Sequence, residues 1–136
     1  MEVAIEEAMK SSESVKCGAV IVKDEKIISK SHNSQRILND ASAHAEINSI
    51  RHAGKFLGHK NLEDCTIYCT CEPCIMCLSA LEFAKIKKIV YGLSLKDIYP
   101  KERLIDIDIN TFLTKLPHKI EVLKNFVKDE CYKLIK

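Results

Sequence analysis

Residues 65–77 read CTIYCTCEPCIMC, and the reading of this stretch decides the fold. Thr66 to Cys69 is short, apolar and bears β-branched and aromatic side chains, which predicts a strand. Pro73 suits the first turn of a helix, since its fixed φ and missing N–H cost nothing there. That helix then runs through residues 75–84. A strand feeding a helix is a pattern that repeats outward in both directions. Upstream, 17–22 (CGAVIV) is a buried strand, Asp24-Glu25 a turn, and 26–29 (KIIS) the returning arm of a hairpin. Residues 44–57 form a helix with Ile47, Ile50, Ala53 and Leu57 on one stripe and Gly58 as its stop. A short first helix covers 2–10. Downstream, 88–91 (KIVY) is a strand ending at Gly92, and 119–123 alternates like a half-exposed strand. A last helix over 125–135 carries Val127, Cys131, Leu134 and Ile135 on its apolar stripe. Residues 33–42 read as polar and irregular, 93–109 as loop with a short helix, and 110–116 as a helical turn. Strands alternating with helices predict an α/β sandwich, the later strands parallel through right-handed crossovers and the opening hairpin making the sheet mixed.

The 136 residues have room for one domain, 1–136. Twenty-one Lys and Arg against nineteen Asp and Glu leave a net charge of +2. This excludes a strongly basic nucleic-acid binder acting by charge alone and leaves room for a local basic patch. No apolar run approaches the ~18 residues needed to span a bilayer. The opening MEVAIEEAMK is acidic and lacks the features of a secretory signal, so a cytoplasmic setting is expected and no membrane partner. Seven cysteines are an odd count, and four of them crowd into residues 69–77. A disulfide framework spreads its cysteines; a cluster reads as metal ligands among reduced bystanders.

The chemistry concentrates in His44-Ala45-Glu46 and, 30 positions after the histidine, Pro73-Cys74-Ile75-Met76-Cys77. Cys74 and Cys77, three apart in a first helical turn, share a face near the positive end of the helix dipole, which favours thiolate. Two thiolates and an imidazole suit Zn²⁺, and three protein ligands leave a fourth position open for chemistry. His44 is the obvious third ligand because it too opens a helix. Residues two apart lie ~200° apart round a helix, so the metal should sit off the helix tip, where Glu46 can reach in to accept and return a proton. The rival is a closed structural zinc site of Cys69, Cys71, Cys74 and Cys77, which leaves His44 and Glu46 unexplained. Cys65, Cys69 and Cys131 read as core residues, and Cys71 as a bystander or a neighbour of the site. His32, His52, His59 and His118 read as surface or loop. The lysines at 115, 119, 124, 128, 133 and 136 read as a solvated face, or else as a phosphate-contacting patch.

The H-x-E and P-C-x-x-C pair resembles the zinc-dependent cytidine/deoxycytidylate deaminase superfamily. The blocks GAVIVKDEKIISKSHN (18–33), NDASAHAEINSIR (39–51), CTIYCTCEPCIMCLSAL (65–81) and KKIVYG (87–92) are similar to the branch holding guanine deaminases, tRNA adenosine deaminases and fungal-type cytosine deaminases. The tail KIEVLKNFVKDECYKLIK (119–136) resembles tRNA adenosine deaminases and general nucleoside deaminases. The resemblance implies a three-layer α/β/α sandwich with a five-stranded mixed sheet, usually a homodimer or larger. It implies hydrolytic deamination with one Zn²⁺ per chain held by His44, Cys74 and Cys77, and Glu46 as the catalytic proton shuttle. Substrate contacts would come from Asn33 to the ring, the backbone N–H of Ala45, and the backbone of Glu72. This chain departs from the family where Lys16-Cys17 replaces the usual Pro-Phe or Pro-Val before Gly18. After Gly92 it lacks the Arg-Asp loop common in the tRNA enzymes, while Asp106 or Asp108 could supply the acidic recognition seen in guanine deaminases. The small net charge, the carboxylates Asp97, Glu102, Asp106 and Asp108, and few aromatic residues favour a free nucleobase or nucleoside (guanine, adenosine or cytosine type) as substrate. The alternative is an adenosine in tRNA, converted to inosine.

Overall fold

The computed structural model describes residues 1–100, 105 and 107–135. Its elements are α1 (Glu2–Met9), β1 (Gly18–Lys23), β2 (Lys26–His32), α2 (Gln35–Leu38), α3 (Ala45–Leu57), β3 (Cys65–Cys71), α4 (Ile75–Phe83), β4 (Lys88–Leu93), α5 (Leu95–Ile98), α6 (Ile109–Thr114), β5 (Glu121–Leu123) and α7 (Lys128–Tyr132). The strands form one mixed sheet in the order β2-β1-β3-β4-β5. The β1–β2 and β1–β3 pairs are antiparallel, while β3–β4 and β4–β5 are parallel, as alternating strands and helices require. Asp24 and Glu25 both have positive φ, the two-residue turn whose twist matches a hairpin.

The core lies between the sheet and the α3–α4 layer. Ala19, Ile21, Ile67 and Ile89 point from the strands into it, and Ala45, Ala53, Leu78 and Leu81 from the helices. Because strand side chains alternate, the neighbouring positions Gly18 and Gly92 face the other way. There a Cβ on Gly18 would collide with the carbonyl oxygen of Ala4 in α1, and one on Gly92 with the sulfur of Cys131 in α7. Two helices thus cover the second face, and the expected α/β/α layering holds. Among the described residues, no helix is long and apolar enough to cross a membrane.

Several boundaries differ from the sequence expectation, and the differences matter for the site. The strand expected over 66–69 runs on to Cys71, and the one expected over 26–29 runs on to His32. Continued sheet pairing on neighbouring strands carries both to the sheet end where α3 and α4 begin. The segment 33–42 is not wholly irregular, since α2 forms there. The last helix is shorter than 125–135 because Asn125 and Val127 take positive φ and delay its start. Of the stripe expected on α3 only Ala53 is fully buried, and the rest of the buried face is Ala45, Glu46, Asn48 and Ser49. Ser49 Oγ donates to Ala19 O at 2.9 Å, and Asn48 Nδ2 donates to His32 O at 3.0 Å, so these polar groups are satisfied and pin α3 to the hairpin.

Candidate active site

His44 is the N-cap of α3, with extended backbone (φ −69°, ψ 156°), and Cys74 is the N-cap of α4 in nearly the same conformation (φ −70°, ψ 171°). Glu46 and Cys77 follow inside the first turns of these helices. The extended cap explains how a histidine and a glutamate two apart serve one point: His44 lies outside the helical rotation that would have separated them. His44 Nδ1 is 3.7 Å from Cys74 Sγ and 3.6 Å from Cys77 Sγ, and the two sulfurs are 3.7 Å apart. Tetrahedral zinc with ordinary Zn–S and Zn–N bonds needs ligand–ligand edges of roughly 3.5–3.8 Å. The three side chains therefore fit the ion in both chemistry and spacing, and they are the group able to hold a metal among the described residues. The rival four-cysteine set is not assembled. Cys69 is sealed in the core at 1% exposure, and Cys71 Sγ instead meets Cys17 Sγ at 2.7 Å.

Contact with Cys77, aided by His44, holds the Cys74 thiol down to about 4 against the effect of burial. The Cys77 thiol is pushed up by Cys74 and by burial. His44 is raised in turn, chiefly by Cys74, with burial opposing. Burial pushes the Glu46 carboxyl up to about 7, so it can both hold and release a proton near neutrality.

A cleft opens over these groups. Its lining includes His44, Glu46 and Cys74, with Cys77 buried behind them, and the three others expected at the substrate, Asn33, Ala45 and Glu72. Asn33 is already locked: Oδ1 accepts from Cys17 N–H at 3.0 Å, and Nδ2 donates to Val15 O at 2.7 Å. One amide hydrogen and one lone pair remain to it. Ala45 opens α3, where N–H groups lack partners within the helix. The Glu72 N–H donates to Leu93 O at 2.7 Å, and its Oε2 accepts from Leu95 N–H at 2.9 Å. Its backbone can therefore offer a substrate only the carbonyl oxygen.

The cleft also contains residues that sequence reading missed, notably Gln35, Leu95, Ile98 and Tyr99. Tyr99 arrives through α5, whose cap Ser94 donates its N–H and Oγ–H to Asp97 at 2.9 and 2.8 Å. The Ser-x-x-Asp spacing at 94–97 was the available signal. His52 and His59 are exposed and His118 lies in a loop, as expected, and each of the four histidines has a hydrogen-bond partner. His52 Nδ1 lies 2.9 Å from Ser31 Oγ, His118 Nε2 lies 2.9 Å from Ile86 O, and His32 Nδ1 lies 3.4 Å from Glu7. His59 Nδ1 accepts from Asn61 N–H at 3.3 Å. Each is a satisfied structural partner.

Residues 1–93 match the family model of the cytidine and deoxycytidylate deaminase zinc-binding region. The chain belongs to that family. It is a zinc-dependent hydrolytic deaminase. It is 37% identical to a tRNA-specific adenosine deaminase of Buchnera aphidicola subsp. Schizaphis graminum over 137 aligned positions, which cover 99% of this chain and 88% of that one. A solved structure from studies of A-to-I editing by tRNA:A34 deaminases at the wobble position of transfer RNA superposes with a TM-score of 0.85. It is 36% identical and covers 98% of this chain and 96% of the other. The X-ray structure of guanine deaminase from Bacillus subtilis superposes less well, at TM-score 0.67 and 32% identity, covering 83% of this chain and 86% of that one.

These likenesses overturn the expectation of a free nucleobase or nucleoside as substrate. The full-length match, including the region after Gly92 where branches diverge, is to the tRNA enzymes. Folding also weakens the charge argument behind that expectation. Asp97 is not a free rim carboxylate: it accepts from Ser94, the N-cap of α5, and pairs with Lys128 Nζ at 2.9 Å. Asp108 caps α6 by accepting from Thr111 N–H at 3.1 Å. Glu102 and Asp106 lie outside the described residues.

Proposed function

We propose that this deaminase converts adenosine to inosine in a tRNA. The observation that carries the reading is likeness to the tRNA-specific enzymes over almost the whole chain, past residue 93 into the terminal strand and helix. The cleft is consistent with it, since it opens to solvent beside α5 and a flipped nucleotide must enter with its backbone outside.

In this proposal His44, Cys74 and Cys77 hold zinc. The ion, when bound, supplies a water acidic enough to act as a nucleophile near neutral pH. Glu46 would carry the two protons of the consumed water in turn, the first to the ring nitrogen and the second to the departing amino group, so that ammonia is released. The remaining Asn33 amide hydrogen, the Ala45 N–H and the Glu72 carbonyl hold the base in place. Tyr99 offers an aromatic face on the same cleft, the kind of surface on which an unpaired base stacks. We propose also that the enzyme works in the cytoplasm, where its tRNA substrate and its reduced cysteines both belong. Assembly as a homodimer would cover large apolar side chains left on the surface, such as Phe56 and Phe83, which are 69% and 79% exposed.

The test is turnover of a tRNA anticodon stem-loop carrying adenosine at the wobble position, against guanine, adenine, adenosine, cytosine and cytidine. Inosine in the nuclease digest and ammonia release are the readouts, at two salt concentrations. The proposal expects turnover of the stem-loop alone, falling steeply as salt rises. Efficient, salt-insensitive turnover of a free base or nucleoside would refute it.

A further inference from the structure

The sulfurs of Cys17 and Cys71 lie 2.7 Å apart, with the Cys17 thiol donating to Cys71. This contact is built into the sheet. In the antiparallel β1–β3 ladder Ala19 faces Cys69, and Gly18 N–H donates to Thr70 Oγ1 at 3.0 Å. Continuing that register places Cys17 opposite Cys71. Residues directly opposite in an antiparallel pair have Cα atoms about 4.5 or 5.5 Å apart, and both values lie inside the range a disulfide accepts. The two residues are anchored independently of their sulfurs. Cys17 exchanges backbone hydrogen bonds with Asn33, through its N–H to Oδ1 and its carbonyl to the Asn33 N–H, each at 3.0 Å. Cys71 sits at the end of β3, in register with Leu93 of β4.

Access separates this pair from the other cysteines. Cys65, Cys69 and Cys131 are at most 1% exposed, the first two in the core and Cys131 packed against Gly92 of the sheet. Cys74 and Cys77 belong to the metal-binding group. Cys17 is half-buried, and both Cys17 and Cys71 line the active-site cleft. A small oxidant entering the cleft therefore meets a preformed pair.

We propose that Cys17 and Cys71 form an oxidisable dithiol, a modification site in the wall of the cleft that closes to a disulfide on exposure to peroxide. The O–O bond of peroxide breaks as one sulfur of the pair takes one oxygen, giving a sulfenic acid and one water. The other sulfur then attacks the oxidised one, an S–S bond forms, and the oxygen leaves with a proton as a second water. The two thiols lose two electrons and two protons, and peroxide is reduced to two waters. The product clamps the end of β1 to the end of β3 beside Asn33 and Glu72.

The experiment uses the zinc-loaded, fully reduced protein and reads neither substrate nor turnover. After exposure to hydrogen peroxide, remaining thiols are alkylated and the protein is digested without reduction, mapped by mass spectrometry and assayed for zinc. The expected result is a Cys17–Cys71 cross-linked peptide two hydrogens lighter than the sum of its parts, lost on treatment with dithiothreitol, with zinc content unchanged. Cys17→Ser and Cys71→Ser should each abolish the cross-link while keeping the zinc and the thermal midpoint. Alkylation of both sulfurs at full yield after peroxide, or a Cys74–Cys77 cross-link with zinc released, would overturn the proposal.

Discussion

His44 and Cys74 occupy equivalent places: each is the extended N-cap of a helix, and their ligating atoms meet 3.7 Å apart. Two helix N-termini thus converge, and their dipoles favour the negative charge carried by thiolate and carboxylate. Helix capping is here the device that aims the metal-binding side chains, since the caps themselves make no side-chain cap hydrogen bond.

The first prediction concerns the metal. The purified protein should contain about one zinc per chain, as a three-ligand site binds a single ion. Cys74→Ala/Cys77→Ala should lose it, and thermal stability should fall because metal binding to a preformed site adds to folding free energy. Elemental analysis together with a melting curve checks both; zinc retained in the double variant would refute the assignment.

Glu46→Gln should keep the fold and the zinc while kcat falls ~10²- to 10⁴-fold, the usual contribution of a positioned acid–base group. The amide matches the carboxyl in size but cannot cycle a proton. Single-turnover rates with the zinc content measured in parallel decide the matter. Turnover near the wild-type rate would show that another group moves the proton.

Tyr99→Ala should raise KM for the stem-loop roughly 5- to 150-fold, the range expected for loss of base stacking worth ~1–3 kcal/mol. Tyr99→Phe should stay close to wild type, because the face rather than the hydroxyl is what the base meets. Asp97→Ala should have a related but indirect effect. It removes the carboxylate half of the α5 capping box, worth about 1 kcal/mol, and the Lys128 contact, so KM should rise more than kcat falls. Steady-state kinetics of the three variants separates these outcomes.

Glu7 gives a pH-dependent prediction for stability. It is 5% exposed, with Lys10 Nζ at 2.6 Å, His32 Nδ1 at 3.4 Å and Lys30 Nζ at 3.9 Å. Burial opposes its ionisation, but these partners prevail and hold its pKa below the ordinary 4.5. A depressed folded-state pKa means that the carboxylate stabilises the fold fully above about pH 4.5 and loses that effect as pH falls through the lower folded value. Glu7→Gln should therefore cost about 1 kcal/mol at neutral pH, since both lysines are largely exposed. The difference should vanish toward pH 3. Urea melts of both proteins across that range test it, and a gap that widened in acid would contradict the assignment.

Much of the site was legible in the sequence because its signals are local. Pro73 marks a helix start, and the Cys74–Cys77 spacing puts two sulfurs on one first turn. His44 and Glu46 sit at the opening of an apolar-striped helix, so the metal-binding group and the neighbouring carboxylate could be read from two short segments. The mixed sheet followed from alternating strand and helix patterns together with one hairpin turn. Helix ends and strand extensions were less legible, because pairing partners and positive-φ residues such as Val127 set them rather than periodicity.

Tertiary structure decided what depends on distant residues meeting. No spacing rule joins Cys17 to Cys71, 54 positions apart, yet the β1–β3 register puts their sulfurs in contact. Tyr99 is one aromatic in an unpatterned segment until the Ser94–Asp97 cap and Lys128 seat it over the cleft. The charge argument about the substrate missed the same kind of difference. A sequence counts every carboxylate as free charge, whereas folding pairs Asp97 and assigns Asp108 to a helix cap. Local chemistry is written in neighbouring residues, while the field and shape of the cleft arise only where long-range pairing commits those residues to partners.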